Sequence, residues 1–305
     1  MAFDAFALIL AMLALGMLFA RFGVLPDSAA EVLNRVVLLV CLPAAVLVHV
    51  PSLRFDPALI GLAATPWLLA AATVLLVWPL ARLLRFRRDE TGVVVLCVAL
   101  CNSSFIGYPM IGALLGEDAV AYAVVYDQFG TFLLLSTVGM IVLARGSGDS
   151  APSARAIALR IVRFPPIWAL VFGLTLMPEQ PPQWIALALE RLSGVLVMLV
   201  MLAVGLGIQL RLPRDEIAPL ATGLALKLVL LPLLSLPVAW LLGMRGDVLQ
   251  VSVLETAMPP MITAAALAIT HGLAPRLAAA IVGYGIVLSL VTLPLWRLVL
   301  LQASG

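Results

Sequence analysis

The chain has 305 residues, of which 64% are hydrophobic and only 11% charged, with a formal net charge of +2. Soluble domains average about 45–50% apolar and about 25% charged residues, so a soluble fold of this length would lack the charge to cover its surface. No basic stripe interleaved with aromatics points to nucleic acid, and the uncharged windows 58–81, 93–116, 192–210 and 277–296 each approach the roughly 20 residues that cross a bilayer core.

In chain order, the first apolar span covers 4–22. It carries Asp4 where a signal peptide would carry basic residues, which predicts a retained helix and not a cleaved segment. Further spans follow at 29–51, 58–82, 92–115 and 119–144. The polar stretch "ARGSGDSAPSARA" then predicts a cytoplasmic linker over 145–156. Five more spans cover 157–177, 184–210, 216–242, 247–270 and 276–300. The pattern predicts an all-α polytopic membrane protein of ten transmembrane helices, five in 1–144 and five in 157–305. Arginines are concentrated in the connections on one side of this plan, with only Arg54, Arg191, Arg245 and Arg297 on the other. The positive-inside rule therefore predicts periplasmic N- and C-termini in a bacterial inner membrane. The cluster Arg82–Arg88 reads as a topology determinant, and Trp residues near span ends as an interfacial belt.

The cysteines Cys41, Cys97 and Cys101 all fall in apolar spans, so a disulfide framework is not expected. His49 and His271 match no metal spacing, and no nucleotide-binding loop or nucleophile–base pair suggests an enzyme. Neither a catalytic residue, a metal nor a cofactor is expected, apart from a coupling ion.

The fourth span contains "NSSFIGYPMIGALLG" from Asn102, an unusual concentration of polar, glycine and proline residues at membrane depth. Its "YPMIGALL" (Tyr108–Leu115) shares Pro-Met-Ile with "PPMITAAA" (Pro259–Ala266) in the ninth span. The two stand at the same place in the two sets of five. Because five is odd, the second set enters the membrane from the opposite side, which predicts an inverted repeat with broken helices at spans four and nine. Pro109 removes an amide donor and Gly107 tolerates unwound backbone, while Pro259 and Pro260 act likewise in the second set. A simple proline kink is the alternative for either segment alone; two interruptions in corresponding places favour the broken form.

These segments, together with "LNRVVLLVCLPAAVL" (Leu33–Leu47), "VVYDQFG" (Val124–Gly130), "KLVLLPLL" (Lys227–Leu234) and "ETAMPPMITAA" (Glu255–Ala265), resemble the auxin efflux carrier family over the whole chain. That family includes bacterial carboxylate permeases and the PIN auxin carriers of plants. The resemblance implies the architecture of bile-acid sodium symporters, with a scaffold domain, a transport domain, and two broken helices crossing at the substrate site. Thr263 stands where many relatives carry asparagine, so only Asn102 maps as a crossing carboxamide.

The N-terminal end of a broken half-helix presents amides that favour an anion. The expected substrate site therefore comprises Asn102, Ser103, Ser104, Gly107, Tyr108 and Pro109 at the first break and Pro259, Pro260 and Thr263 at the second. Interhelical hydrogen bonding is the plainer role for the small polar residues. Asp127, Gln128, Lys227 and Glu255 lie well inside spans, where ionisable groups usually mark a pathway, and are the expected ion-coupling residues. Lys227, the sole lysine, either attracts an anion or pairs with Glu255 or Asp127. The coupling ion is left as Na+ or H+.

The expected function is secondary active transport of a small organic anion, a mono- or dicarboxylate, by alternating access. A cation/proton antiporter on the same scaffold and a non-transporting membrane receptor are the alternatives. Expected partners are the substrate anion, the lipid bilayer and a second copy in a homodimer, with no nucleic acid.

Overall fold

Prolines decide where many of the apolar runs begin, bend or widen. The computed structural model describes residues 2–26, 28–53, 56–147, 153–208 and 214–303. Arg54, named above for orientation, Arg211, which counts toward the arginine-rich side, the positions 209–210 at the end of the seventh span, and 148–152 in the expected linker lie outside the described residues. Among the described residues the regular elements are all helical. In order they are α1 (Ala2–Phe22), α2 (Ala29–His49), α3 (Ala58–Leu83), α4 (Arg88–Ala99), α5 (Ser103–Leu115), α6 (Glu117–Ser147), α7 (Ala154–Val162), α8 (Pro165–Thr175), α9 (Gln183–Gly207), α10 (Ile217–Leu241), α11 (Gly246–Ala257), α12 (Ile262–Thr270) and α13 (Pro275–Ala303).

Six of these, α2, α3, α6, α9, α10 and α13, are long and apolar enough to cross a membrane. The expected sixth span, 157–177, is instead a bent pair in which α7 and α8 meet at 63°. The cause is local: Phe164 precedes Pro165 and takes an extended conformation (φ −88°, ψ 109°), because the proline ring crowds a helical residue before it.

Several helices widen into a π turn, at Val37–Cys41, Ser103–Gly107, Tyr126–Thr131, Leu135–Gly139 and Leu226–Leu230. In three of them a proline follows two residues after the turn: Pro43, Pro109 and Pro232. A proline has no N–H and its ring clashes with the carbonyl four residues back. Widening the preceding turn relieves both problems without ending the helix.

The chain divides into two units that interleave in sequence. The first contains 1–55, 104–124 and 161–208. Within it α1 crosses α9 with almost no side chain between them. A Cβ on Gly16 would lie 2.4 Å from the Leu202 carbonyl oxygen, and one on Gly205 would lie 2.3 Å from that of Leu13. Gly173 of α8 packs in ordinary contact against the side chain of Val50, just past α2.

The second unit contains 56–103, 125–160 and 209–305. Its core is built from α4, α10, α12 and α13, with Val94, Cys97, Leu226, Ala264, Ala268, Leu277 and Ile281 among the buried side chains. The same interior holds three ionisable residues, Asp127, Lys227 and Glu255, none more than 1% exposed. All three cysteines are buried and unpaired.

Candidate functional site

Two interrupted helices in the second unit come together backbone to backbone. α4 ends at Ala99, and Leu100 is extended (φ −104°, ψ 115°). α11 ends at Ala257, and Met258 is extended before Pro259 (φ −58°, ψ 149°). Pro259 and Pro260 in tandem supply no amide donors and crowd the residues before them, and the helix stops at this point. The amide of Asn102 donates to the Pro259 carbonyl at 2.9 Å, and the amide of Met261 donates to the Leu100 carbonyl at 3.0 Å. Cys101 and Pro260 thus face each other in a short antiparallel bridge. Buried backbone groups left open by one break are closed by the other.

The first interruption does not lie where its own proline stands. Gly107 ends the π turn and Pro109 occupies the first turn of the α-helical part of α5, well beyond Asn102. The chain opens at Leu100–Asn102 because the second break offers it a carbonyl and takes one in return.

Around the bridge lie groups that lipid cannot satisfy. Asn102 is 2% exposed, and its side-chain Nδ2 has no hydrogen-bond partner among the described residues. The Ser103 hydroxyl donates to Asp127 Oδ1 at 2.5 Å, and Gln128 Nε2 donates to Asp127 Oδ2 at 2.7 Å. Gln128 Oε1 is left without a donor among the described residues. The Tyr126 hydroxyl and Thr256 Oγ1 are 3.0 Å apart, and Thr256 also donates to the Ser252 carbonyl at 2.8 Å. Both Asp127 and Lys227 sit inside π turns, a widened geometry found often at functional sites.

Glu255 is fully buried on the last turn of α11, and neither of its oxygens has a donor among the described residues. Lys227 lies within electrostatic reach of it but forms no ion pair within 4 Å with any described acid. The salt bridge weighed for Lys227 is therefore absent among the described residues. A buried carboxylate without hydrogen bonds is costly. Such a group needs a proton, a cation or a moving partner.

The structure thus gathers Asn102, Ser103, Pro259, Pro260, Asp127, Gln128, Lys227 and Glu255 in one unit. Thr263 is in the same unit but is exposed on the first turn of α12. No side chain caps that turn, so its leading amides keep the unsatisfied donors common to helix starts. Ser104, Gly107, Tyr108 and Pro109 belong to the first unit. There Tyr108 and Pro109 line a cavity of about 620 Å³ with His49, Gly112 and Glu117. His49 Nε2 stands 3.7 Å from Glu117 Oε2 across it. Neither residue is conspicuous in the sequence: each ends or begins an apolar span, where charged residues are common, and only the fold turns both toward one cavity.

Long apolar helices, broken segments closed on each other and buried ionisable groups define a multi-pass membrane protein. Residues 1–297 match the model of the family described as membrane transport protein. The chain belongs to that family, the auxin efflux carriers. It is 31% identical over 301 residues to an uncharacterized transporter of Methanothermobacter thermautotrophicus, covering 96% of each chain. It is 23% identical over 311 residues to an uncharacterized transporter of Methanocaldococcus jannaschii, covering 98% of this chain and 99% of that one.

Proposed function

We propose that the protein is a secondary transporter of a small organic anion, a mono- or dicarboxylate, working by alternating access at the two interrupted helices. The observation that carries this reading is the reciprocal pairing of Asn102 with Pro259 and of Met261 with Leu100. It holds the buried Asn102, whose Nδ2 has no partner among the described residues, next to the uncapped start of α12. Amide donors of that kind stabilise a carboxylate without a full positive charge, because the helix dipole and the carboxamide both present N–H groups. Thr263 adds a hydroxyl on the same turn.

In this reading the ten spans form an inverted repeat of two sets of five, joined by a cytoplasmic linker, in a bacterial inner membrane with both termini periplasmic. Support comes from the shared Pro-Met-Ile of the two interrupted segments and from the arginine excess on one side. Lys227 draws the anion toward the bridge. Glu255 and Asp127 take up the coupling ion, Na+ or H+, since each is a buried acid near the breaks.

The test is uptake into liposomes containing the purified protein, with malate, malonate and an aromatic carboxylate as probes and their uncharged amides as controls. Saturable flux of a carboxylate, lost in Asn102→Ala, is the expected result. Binding without flux across the whole panel would overturn transport in favour of a receptor. Proton-coupled cation exchange that survives Asn102→Ala would point to an antiporter.

A further inference from the structure

A second polar site lies where α3 ends and α4 begins, at the opposite end of α4 from its break. There Trp78, Arg82, Arg85, Phe86 and Arg88 surround a cavity of about 460 Å³. We propose that Arg82, Arg85 and Arg88 form a binding site for a phosphate group, carried by the headgroup of an acidic phospholipid or free in solution.

The charge at this site is uncompensated. Arg87, in the middle of the same stretch, engages Asp89, Glu90 and Glu216. Arg82, Arg85 and Arg88 have no ion pair with any described acid. The Arg82 guanidinium lies 4.0 Å from the centre of the Trp78 ring, which fixes its plane and leaves its edge N–H groups for a ligand. Arg88 donates through one Nη to the Arg145 carbonyl at 2.9 Å and is held with its remaining donors unspent. Planar guanidinium donors of this kind match phosphate oxygens.

Arg85 adds an independent mark. α3 ends with the Phe86 amide donating to the Ala81 carbonyl at 2.8 Å and the Leu84 amide to the Leu80 carbonyl at 2.8 Å. The residue between, Arg85, is left-handed (φ 58°), at a position glycine usually fills. The left-handed arginine is a local backbone strain, of the kind that clusters at ligand clamps. Apolar Leu83 is 76% exposed beside it, at the end of a 26-residue apolar helix. That mixture of guanidinium, indole and exposed leucine suits the headgroup layer.

The experiment follows thermal unfolding of the full chain in nanodiscs of phosphatidylcholine, with and without phosphatidylglycerol. A separate arm adds inorganic phosphate in phosphatidylcholine, against chloride at matched ionic strength. The variants are Arg82→Gln combined with Arg85→Gly, and the charge-keeping Arg82→Lys. Arg85→Gly relieves the left-handed backbone, so the double variant in neutral lipid is expected to unfold no lower than the parent less a degree or two. The expected result is a phosphatidylglycerol-dependent rise of several degrees, at least halved in the double variant and mostly kept in Arg82→Lys. A response to inorganic phosphate alone supports the site and assigns it to soluble phosphate. No response to either source, or an equal response in parent and double variant, overturns the proposal.

Discussion

The backbone amide of Asn102 donates to the carbonyl oxygen of Pro259 across 2.9 Å, joining two helices more than 150 residues apart in the chain. The bond uses no side-chain atom, so the carboxamide at position 102 can be removed without opening the bridge. Asn102→Ala is therefore expected to leave the unfolding midpoint within about 1 °C of the parent. Its loss of ligand affinity should be about 10- to 100-fold, since a hydrogen bond to a charged group is worth about 1.5–3 kcal/mol. Thermal stabilisation titrated with malate and malonate measures both quantities at once.

The second interruption was legible because it is written locally: Pro259 and Pro260 in tandem remove two successive amide donors and push Met258 out of helical conformation. The first was legible as a region and misplaced in detail. Pro109 and Gly107 drew attention, yet the chain opens at Leu100–Asn102, where no residue requires it. That position is set by the partner backbone at Pro259 and Met261, a long-range cause that no local pattern encodes. The buried charges stood out for the opposite reason, since an apolar span makes Asp127, Lys227 and Glu255 costly wherever they point. The bend at Phe164 follows from a local rule for the residue before proline, although the hydropathy over 157–177 reads straight through it.

Gly285 on α13 passes the second break with no room for a methyl group: a Cβ there would lie 2.5 Å from Cδ of Pro260. The proline ring is held by the bridge and cannot yield, so Gly285→Ala is expected to destabilise by about 1–3 kcal/mol and to displace the Pro259–Met261 segment. Gly194 on α9 has nothing within 4 Å of the same added atom. Gly194→Ala should be neutral or stabilising by up to about 1 kcal/mol through helix propensity. Denaturation of the two variants in the same detergent, side by side, checks the contrast.

Glu216 is 2% exposed and takes Arg87 Nη2 at 3.0 Å, while its other oxygen has no donor among the described residues. Arg87→Ala leaves it with only Arg276 at 3.9 Å. Arg87 is itself half exposed, so the expected loss is about 1–2 kcal/mol, below the roughly 3–5 of a fully buried pair. Adding Glu216→Gln should recover most of it. The Arg87 guanidinium is held above its ordinary range by its bonds to Asp89 and Glu216 and stays charged throughout. The neighbouring Asp215 carboxyl is held below its ordinary 3.8, first by a bond from its own backbone amide and then by Arg276 at 2.6 Å. Its contribution is present above pH 3.8 and lost as pH falls through the lower folded value. Asp215→Asn should therefore track the parent from pH 5 to 8, approximately, and flatten only the acid limb below about pH 4. A pH series of unfolding midpoints reads the difference.

Glu255 and Lys227 are an acid and a base buried in one interior that form no ion pair within 4 Å among the described residues. Breaking a locked salt bridge would leave one charge stranded and cost about 3–5 kcal/mol per single variant. Here neither charge is hydrogen-bonded to the other, so each substitution removes a desolvated group of its own. Glu255→Gln and Lys227→Met are expected to unfold at or above the parent midpoint. Residual attraction through the interior should still show as a coupling of about 0.5–2 kcal/mol in the double-mutant cycle. The functional readout separates the two: Glu255→Gln should abolish any dependence of carboxylate flux on Na+ or pH, whereas Lys227→Met should weaken carboxylate binding and keep that dependence. If both variants lose stability by several kcal/mol and recover together, the pair is a structural lock. Ion coupling would then have to rest on Asp127, whose Ser103 and Gln128 partners lie beside the same bridge.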